Sequence, residues 1–158
     1  MFEHFEKDAR RAVLEGAKEE AARRGDRRIG TDHLLLGLLH DRESRAAAAL
    51  GVSLEFARAA ADALDRAALA SIGIDVGDRS PPAAPIKPPR RAPLTSGARA
   101  VLLGSVLEAR RSKARRIRGR DLVIALLTRE RPDPAAELLK ALGVDPSQVR
   151  ARLDESAA

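Results

Sequence analysis

The sequence predicts an all-α fold built from two copies of one helical unit. Three observations carry that reading. The chain nearly repeats itself: Arg27-Arg28-Ile29 leads into Leu34-Leu35-Leu36-Gly37-Leu38-Leu39, and eighty-eight positions later Arg115-Arg116-Ile117 leads into Leu122-Val123-Ile124-Ala125-Leu126-Leu127. The unit ends repeat too, Ala49-Leu50-Gly51-Val52 returning as Ala141-Leu142-Gly143-Val144. Apolar residues recur at three- and four-residue steps, and no segment shows the alternation of a strand. A duplication of this length implies two related units packed together. In a chain of 158 residues, units this small bury little alone, so the copies are expected to share one core.

The elements follow in order. Phe2, Phe5, Ala9, Val13, Ala17 and Ala21 trace one helix face, predicting an amphipathic helix from Phe2 to Arg24 that Gly25 ends. Thr31 is the expected N-cap of the next helix, with Asp32 in its favourable first turn. That helix runs to about His40 and is apolar almost all round, which places it at the centre of its unit. Arg45 to Leu50 is a short helix closed by Gly51, and Ser53 caps a fourth that reaches about Leu69. Residues 71–93 hold Pro81, Pro82, Pro85, Pro88, Pro89 and Pro93, a density that favours a semi-rigid extended linker.

The second copy starts at a Thr95 or Ser96 cap, with Val101, Leu102, Val106 and Ala109 inward. Leu122 to Leu127 is its central helix, with Gly119 where Thr31 stood. Ala135 to Leu142 is the third, closed by Gly143. Asp145-Pro146-Ser147-Gln148 opens the last with a cap, a proline at the first helical position and a capping-box glutamine. The organisation is thus residues 1–70, a linker over 71–93, and residues 94–154, together one module.

Composition narrows the function classes. There is no cysteine, so no disulfide framework and no thiol chemistry, in keeping with a reducing, cytoplasmic setting. The first residues carry acids where a signal peptide carries bases, and no apolar run approaches the ~20 residues that span a bilayer. The net charge is +6 and Phe supplies all three aromatics, so phosphate contacts are available but base stacking is scarce. His33 and His40 lie seven apart, about 10.5 Å along a helix, too far for one metal ion. No catalytic constellation stands out. The nearest approach to a phosphate-binding loop, Gly25 to Gly30 followed by Thr31, lacks the lysine and the preceding strand. The expectation is a non-enzyme without cofactor or metal.

The motifs resemble those of the Clp ATPase N-terminal domain, the Clp repeat family, of the ClpC type. The repeat-opening pattern appears as Phe5-Glu6-Lys7-Asp8-Ala9-Arg10 and, more degenerately, as Leu94-Thr95-Ser96-Gly97-Ala98-Arg99. The second signature appears as Ile29-Gly30-Thr31-Asp32-His33-Leu34-Leu35-Leu36-Gly37-Leu38. The resemblance implies two tandem four-helix Clp repeats, about eight helices, related by a pseudo-twofold axis. In the family this domain sits on a hexameric AAA+ unfoldase and docks adaptors and substrates. This chain carries no such motor, so it is expected to be a stand-alone Clp N-domain-like protein or the N-terminal fragment of a full Clp ATPase.

Site expectations also follow from the resemblance. In some ClpC proteins each repeat holds a phosphoarginine pocket, with a hydroxyl for phosphate and a glutamate for guanidinium. Carried over, the first repeat has Glu6 and Asp32 at those positions, and the second has Thr95 and Arg120. Each pocket then keeps one half, and phosphoarginine binding is expected to be weak or lost. The alternative role for Asp32 is to offset helix-terminal charge. The groove between repeats binds macrocyclic peptide antibiotics in the family; Phe2 matches there, Leu94 replaces an aromatic, and Arg99 replaces a lysine. Alternatively, Phe2 is the first core residue of its helix.

One further cluster is read from the residues themselves. Arg110, Arg111, Lys113, Arg115, Arg116, Arg118 and Arg120 form an acid-free run, either a solvated helix end or a docking patch for an acidic partner or nucleic acid. Arg118 and Arg120 flank a helix N-terminus, where positive charge calls for an offsetting anion. The function expected is a protein- or peptide-binding module that modulates a ClpC-type unfoldase-protease, as an adaptor or as a decoy for N-domain ligands. The competing reading is a basic nucleic-acid-associated protein.

Overall fold

The computed structural model describes residues 2–77 and 91–156, with Phe2 described in its backbone alone. Of the expected linker, residues 78–90 lie outside the described residues. Eight helices make up the described chain. A 3-10 turn, Phe2–His4, precedes α1, which runs continuously through Lys7–Arg11, a π-helical turn Ala12–Gly16, and Ala17–Arg24. Then come α2 (Thr31–Leu38), α3 (Arg45–Leu50), α4 (Leu54–Ser71), α5 (Ser96–Arg111), α6 (Gly119–Leu127), α7 (Pro134–Ala141) and α8 (Pro146–Glu155).

The pseudo-twofold relation is written in the backbone. Glu6 N–H donates to Ile117 O (2.8 Å) and Ile117 N–H to His4 O (2.8 Å). Exchange the repeats and the same pattern returns: Thr95 N–H donates to Ile29 O (2.9 Å) and Ile29 N–H to Pro93 O (2.9 Å). The residues just before each first helix therefore pair with the other repeat, not their own. This shortens α1 against expectation. Phe5 is only 5% exposed, held extended against Ile117, so the helix begins at Lys7 although apolar spacing continues to Phe2.

The two central helices, α2 and α6, meet at the middle of a single apolar cluster drawn from both repeats. Every residue of α2 is buried, as all-round apolarity requires. Its N-cap is Gly30, not Thr31. His33 Nδ1 accepts the Gly30 N–H at 2.9 Å, and Nε2, which then carries the proton, donates to Asp26 at 3.0 Å. That hydrogen bond is the foremost cause holding the Asp26 carboxyl below its ordinary range. In α6 the corresponding residue is Asp121, whose Oδ2 accepts the Arg118 N–H at 2.9 Å. Thr31 has a different task. Its hydroxyl donates to Asp133 Oδ1 (2.6 Å) and accepts from Ala135 N–H (3.1 Å), tying α2 to the start of α7.

The repeats differ in two places that the backbone explains. From the N-cap Glu6 to the left-handed Gly25, repeat one holds one residue more than repeat two does from Thr95 to the left-handed Lys113. The π-helical turn absorbs that extra residue. There α1 crosses α2 backbone to backbone: an ideal Cβ on Gly37 would stand 2.4 Å from Ala12 O and 2.6 Å from Ala17 N. At the matching crossing of α5 and α6, Gly104 faces the Ala125 methyl, and a Cβ there would meet it at 3.2 Å. The second difference is an extra turn between Leu127 and Gly143 relative to the stretch from Leu39 to Gly51. Most of it lies in α7, whose cap-to-glycine span, Asp133 to Gly143, exceeds that of α3, Ser44 to Gly51.

Candidate functional site

Packing α5 beside Phe5 and Ile117 leaves an open groove of about 450 Å³ at the boundary between the repeats. Its walls are Phe5, Leu102, Val106, Ala109 and Ile117. Leu103, 64% exposed, stands at its edge, with Leu107 one turn further along α5. His4, Ala114, Arg99, Arg110, Arg115 and Arg116 complete the lining, which holds no acid. Arg99 donates to Leu94 O at 3.2 Å.

The structure thus gathers four of the predicted arginines and separates the others. Arg111 pairs with Glu108 at 3.0 Å, away from the groove lining. Arg118 pairs with Asp121 (3.2 Å) and donates to the Ser112 hydroxyl (2.8 Å). Arg120 pairs with Asp154 at 3.3 Å. The offsetting anions called for at Arg118 and Arg120 are the chain's own carboxylates, Asp121 and Asp154. Leu94 is half-buried in its bridge with Ile29, and the Phe2 side chain lies outside the description.

Glu6 and Thr95 each lie against the opposite repeat. Thr95 sits against Ile29, beside the segment that leads to Asp32 in the other repeat, while its hydroxyl caps α5 by accepting the Ala98 N–H at 3.1 Å. Glu6 sits against Ile117, and it lines one pocket of about 380 Å³ together with Arg45, Arg118 and Arg120. A carboxylate from the first repeat and guanidinium groups from the second thus share one pocket. Asp32 is already engaged: its carboxylate is ion-paired with Arg24, whose side chain is only 11% exposed and which also bonds Asp65 at 2.6 Å. A guanidinium thus occupies Asp32, but it is the chain's own. Arg24, Asp32 and Asp65 border a further pocket of about 410 Å³ between α4 and α7.

A buried charge cluster was not legible in the sequence. Glu20 is fully buried and accepts from Arg58 Nε (3.0 Å), His40 Nε2 (2.8 Å) and Arg23 Nε (3.2 Å). Burial by itself pushes the Glu20 carboxyl up. The hydrogen bonds from Arg58 and His40, with the Arg58 charge and Arg23, outweigh that, so it rests below the ordinary glutamate range. His33 and His40 are thereby each committed to a carboxylate.

With this geometry in view, the likeness to known proteins becomes specific. The profile of the Clp repeat (R) N-terminal domain matches residues 7–132. The chain belongs to the Clp repeat N-terminal domain family. Chaperone protein ClpC2 of Oryza sativa subsp. japonica is 31% identical over 156 residues, covering 97% of this chain and 15% of the relative. Chaperone protein ClpC1 of Arabidopsis thaliana is 31% identical with the same coverage. Both are chloroplastic proteins. The crystal structure of the N-terminal domain of the ClpD chaperone from Arabidopsis thaliana aligns over the full length of both chains with a TM-score of 0.72 at 24% identity, which establishes the shared fold. This Clp repeat chain spans about 15% of the length of the curated relatives it matches. No described helix is long and apolar enough to cross a membrane.

Proposed function

We propose that this Clp repeat chain is a non-catalytic module that binds peptides or proteins at the groove between its repeats and modulates a ClpC-type unfoldase-protease. It does so as an adaptor or as a decoy that captures N-domain ligands, macrocyclic peptides among them, and it works in the cytoplasm. The observation that carries this is the groove itself, an apolar concavity beside α5 with Leu103 and Leu107 left exposed. Concave apolar surface with a few polar groups at its edge suits peptide capture.

The test is a calorimetric titration with a macrocyclic peptide that binds ClpC N-domains, run on the unmodified chain, on Phe2→Ala and on Leu103→Asp. Saturable binding that Leu103→Asp abolishes supports the reading. Absence of heat with every macrocycle and with linear ClpC substrates removes it. A second reading, nucleic-acid binding, draws support from Arg110, Arg115 and Arg116, all exposed and without a carboxylate within ion-pair distance among the described residues. It requires affinity for duplex DNA or RNA that falls steeply with salt and is lost in an Arg115→Ala, Arg116→Ala double variant.

A further inference from the structure

We infer that the groove's preferred occupant is an acidic peptide segment bearing an apolar anchor residue. This rests on the reading of the groove as a peptide site and adds the chemistry of its ligand. The lining divides by polarity. Its middle is apolar, formed by Phe5, Leu102, Val106 and Ile117. Its ends are cationic. Arg99 lies in the first turn of α5; Arg110 lies in its last turn, with Arg115 and Arg116 in the loop beyond. Eleven residues separate Arg99 from Arg110, about 16 Å of helix rise. An extended peptide covers that span in about five residues. The geometry therefore matches an apolar side chain placed centrally, with carboxylates two or three residues to either side.

Charge points the same way. No acid lines the groove, and Arg110, Arg115 and Arg116 have no carboxylate partner among the described residues, whereas Arg111, Arg118 and Arg120 nearby each have one. Like charges gathered at one end of a low-dielectric trough repel, and an acidic ligand relieves that repulsion while a neutral one leaves it in place. Nucleic acid fits less well. A phosphate chain needs a continuous cationic track, but here the cations stand apart across an apolar floor whose Phe5 is buried, which leaves the single imidazole of His4 as the ring able to stack on a base.

The experiment uses the full chain and fluorescence anisotropy with three rhodamine-labelled probes. These are a nonapeptide of two glutamates, Gly-Ser, Leu-Phe, Ser and two glutamates; the same peptide with glutamine for every glutamate; and a twenty-base single-stranded DNA. The expected result is acidic-peptide affinity at least tenfold above that of the glutamine peptide at 50 mM NaCl, with the gap closing at 500 mM. An Arg115→Glu, Arg116→Glu variant with an unchanged circular dichroism spectrum is expected to lose the tenfold gap between the two peptides. Leu103→Asp is expected to weaken both peptides. Equal affinity for the two peptides overturns the acidic preference and leaves the groove reading standing. Binding of a macrocycle but of neither peptide does the same. Tighter binding of the DNA, displacing the acidic peptide, overturns the inference in favour of nucleic acid. Failure of both peptides and of the macrocycle brings down the groove reading itself.

Discussion

Replacing Gly37 with alanine tests the packing logic that positions everything else. The added Cβ would lie 2.4 Å from Ala12 O and 2.6 Å from Ala17 N, both backbone atoms of α1. Neither can rotate away, so α2 must retreat by about 1 Å to reach ordinary contact, and gaps of that size forfeit a quarter to a half of each lost contact. Overpacking of this kind costs about 3 kcal/mol, against which alanine's better helix propensity returns about 1 kcal/mol. The net loss is about 2 kcal/mol, or roughly 4–8 °C in Tm for a domain of this size. Gly104→Ala is the internal control. Its Cβ would meet only the Ala125 methyl at 3.2 Å, so the propensity gain and a small steric cost nearly cancel and Tm moves by less than about 2 °C. Differential scanning calorimetry of the two variants decides. An unchanged or raised Tm for Gly37→Ala, or an equal drop in both, refutes the argument from backbone contact.

Other outcomes follow from the charge clusters and the helix ends. Glu20→Gln is expected to cost about 2 kcal/mol, less than the 3–5 kcal/mol of a fully enclosed pair because Arg23 and Arg58 reach water. The Glu20 carboxyl titrates lower in the folded than in the unfolded chain, so its contribution is complete above the ordinary glutamate range and drains as pH falls through the depressed value. Urea unfolding of wild type and Glu20→Gln should therefore converge in acid; a gap independent of pH would contradict the assignment. Lys113→Gly, at φ 54°, relieves a left-handed side-chain conformation and should raise stability by up to about 1 kcal/mol, read as a higher urea midpoint. Arg24→Ala frees Asp32 of its internal guanidinium, so phosphoarginine is expected to give no heat with the wild type and to bind the variant in calorimetry. Equal silence from both proteins would remove Asp32 as a guanidinium site.

Much of this molecule is local, and so was readable along the chain. The caps Ser53, Thr95 and Asp145 act within three residues of themselves, and the apolar runs of α2 and α6 are buried wherever they meet a neighbour. Duplication and periodicity were enough for the fold class, and the motifs over residues 5–10 and 29–38 carried the resemblance to the family. The site was legible only in part. Arg99, Arg110, Arg115 and Arg116 were visible as charges, but their gathering round an apolar trough depends on Phe5 and Ile117, which are far apart in sequence.

What the chain alone determined is where helices form, the start of α1 excepted, because capping and burial patterns are properties of neighbouring residues. The tertiary structure decided which repeat each signature serves. Glu6 and Thr95 cross to the opposite repeat, Thr31 leaves the cap to Gly30 and binds Asp133, and Arg24 claims Asp32. These outcomes turn on hydrogen bonds and ion pairs chosen in competition. Several partners of equal chemistry stand along the sequence, and only packing decides which of them lies within reach.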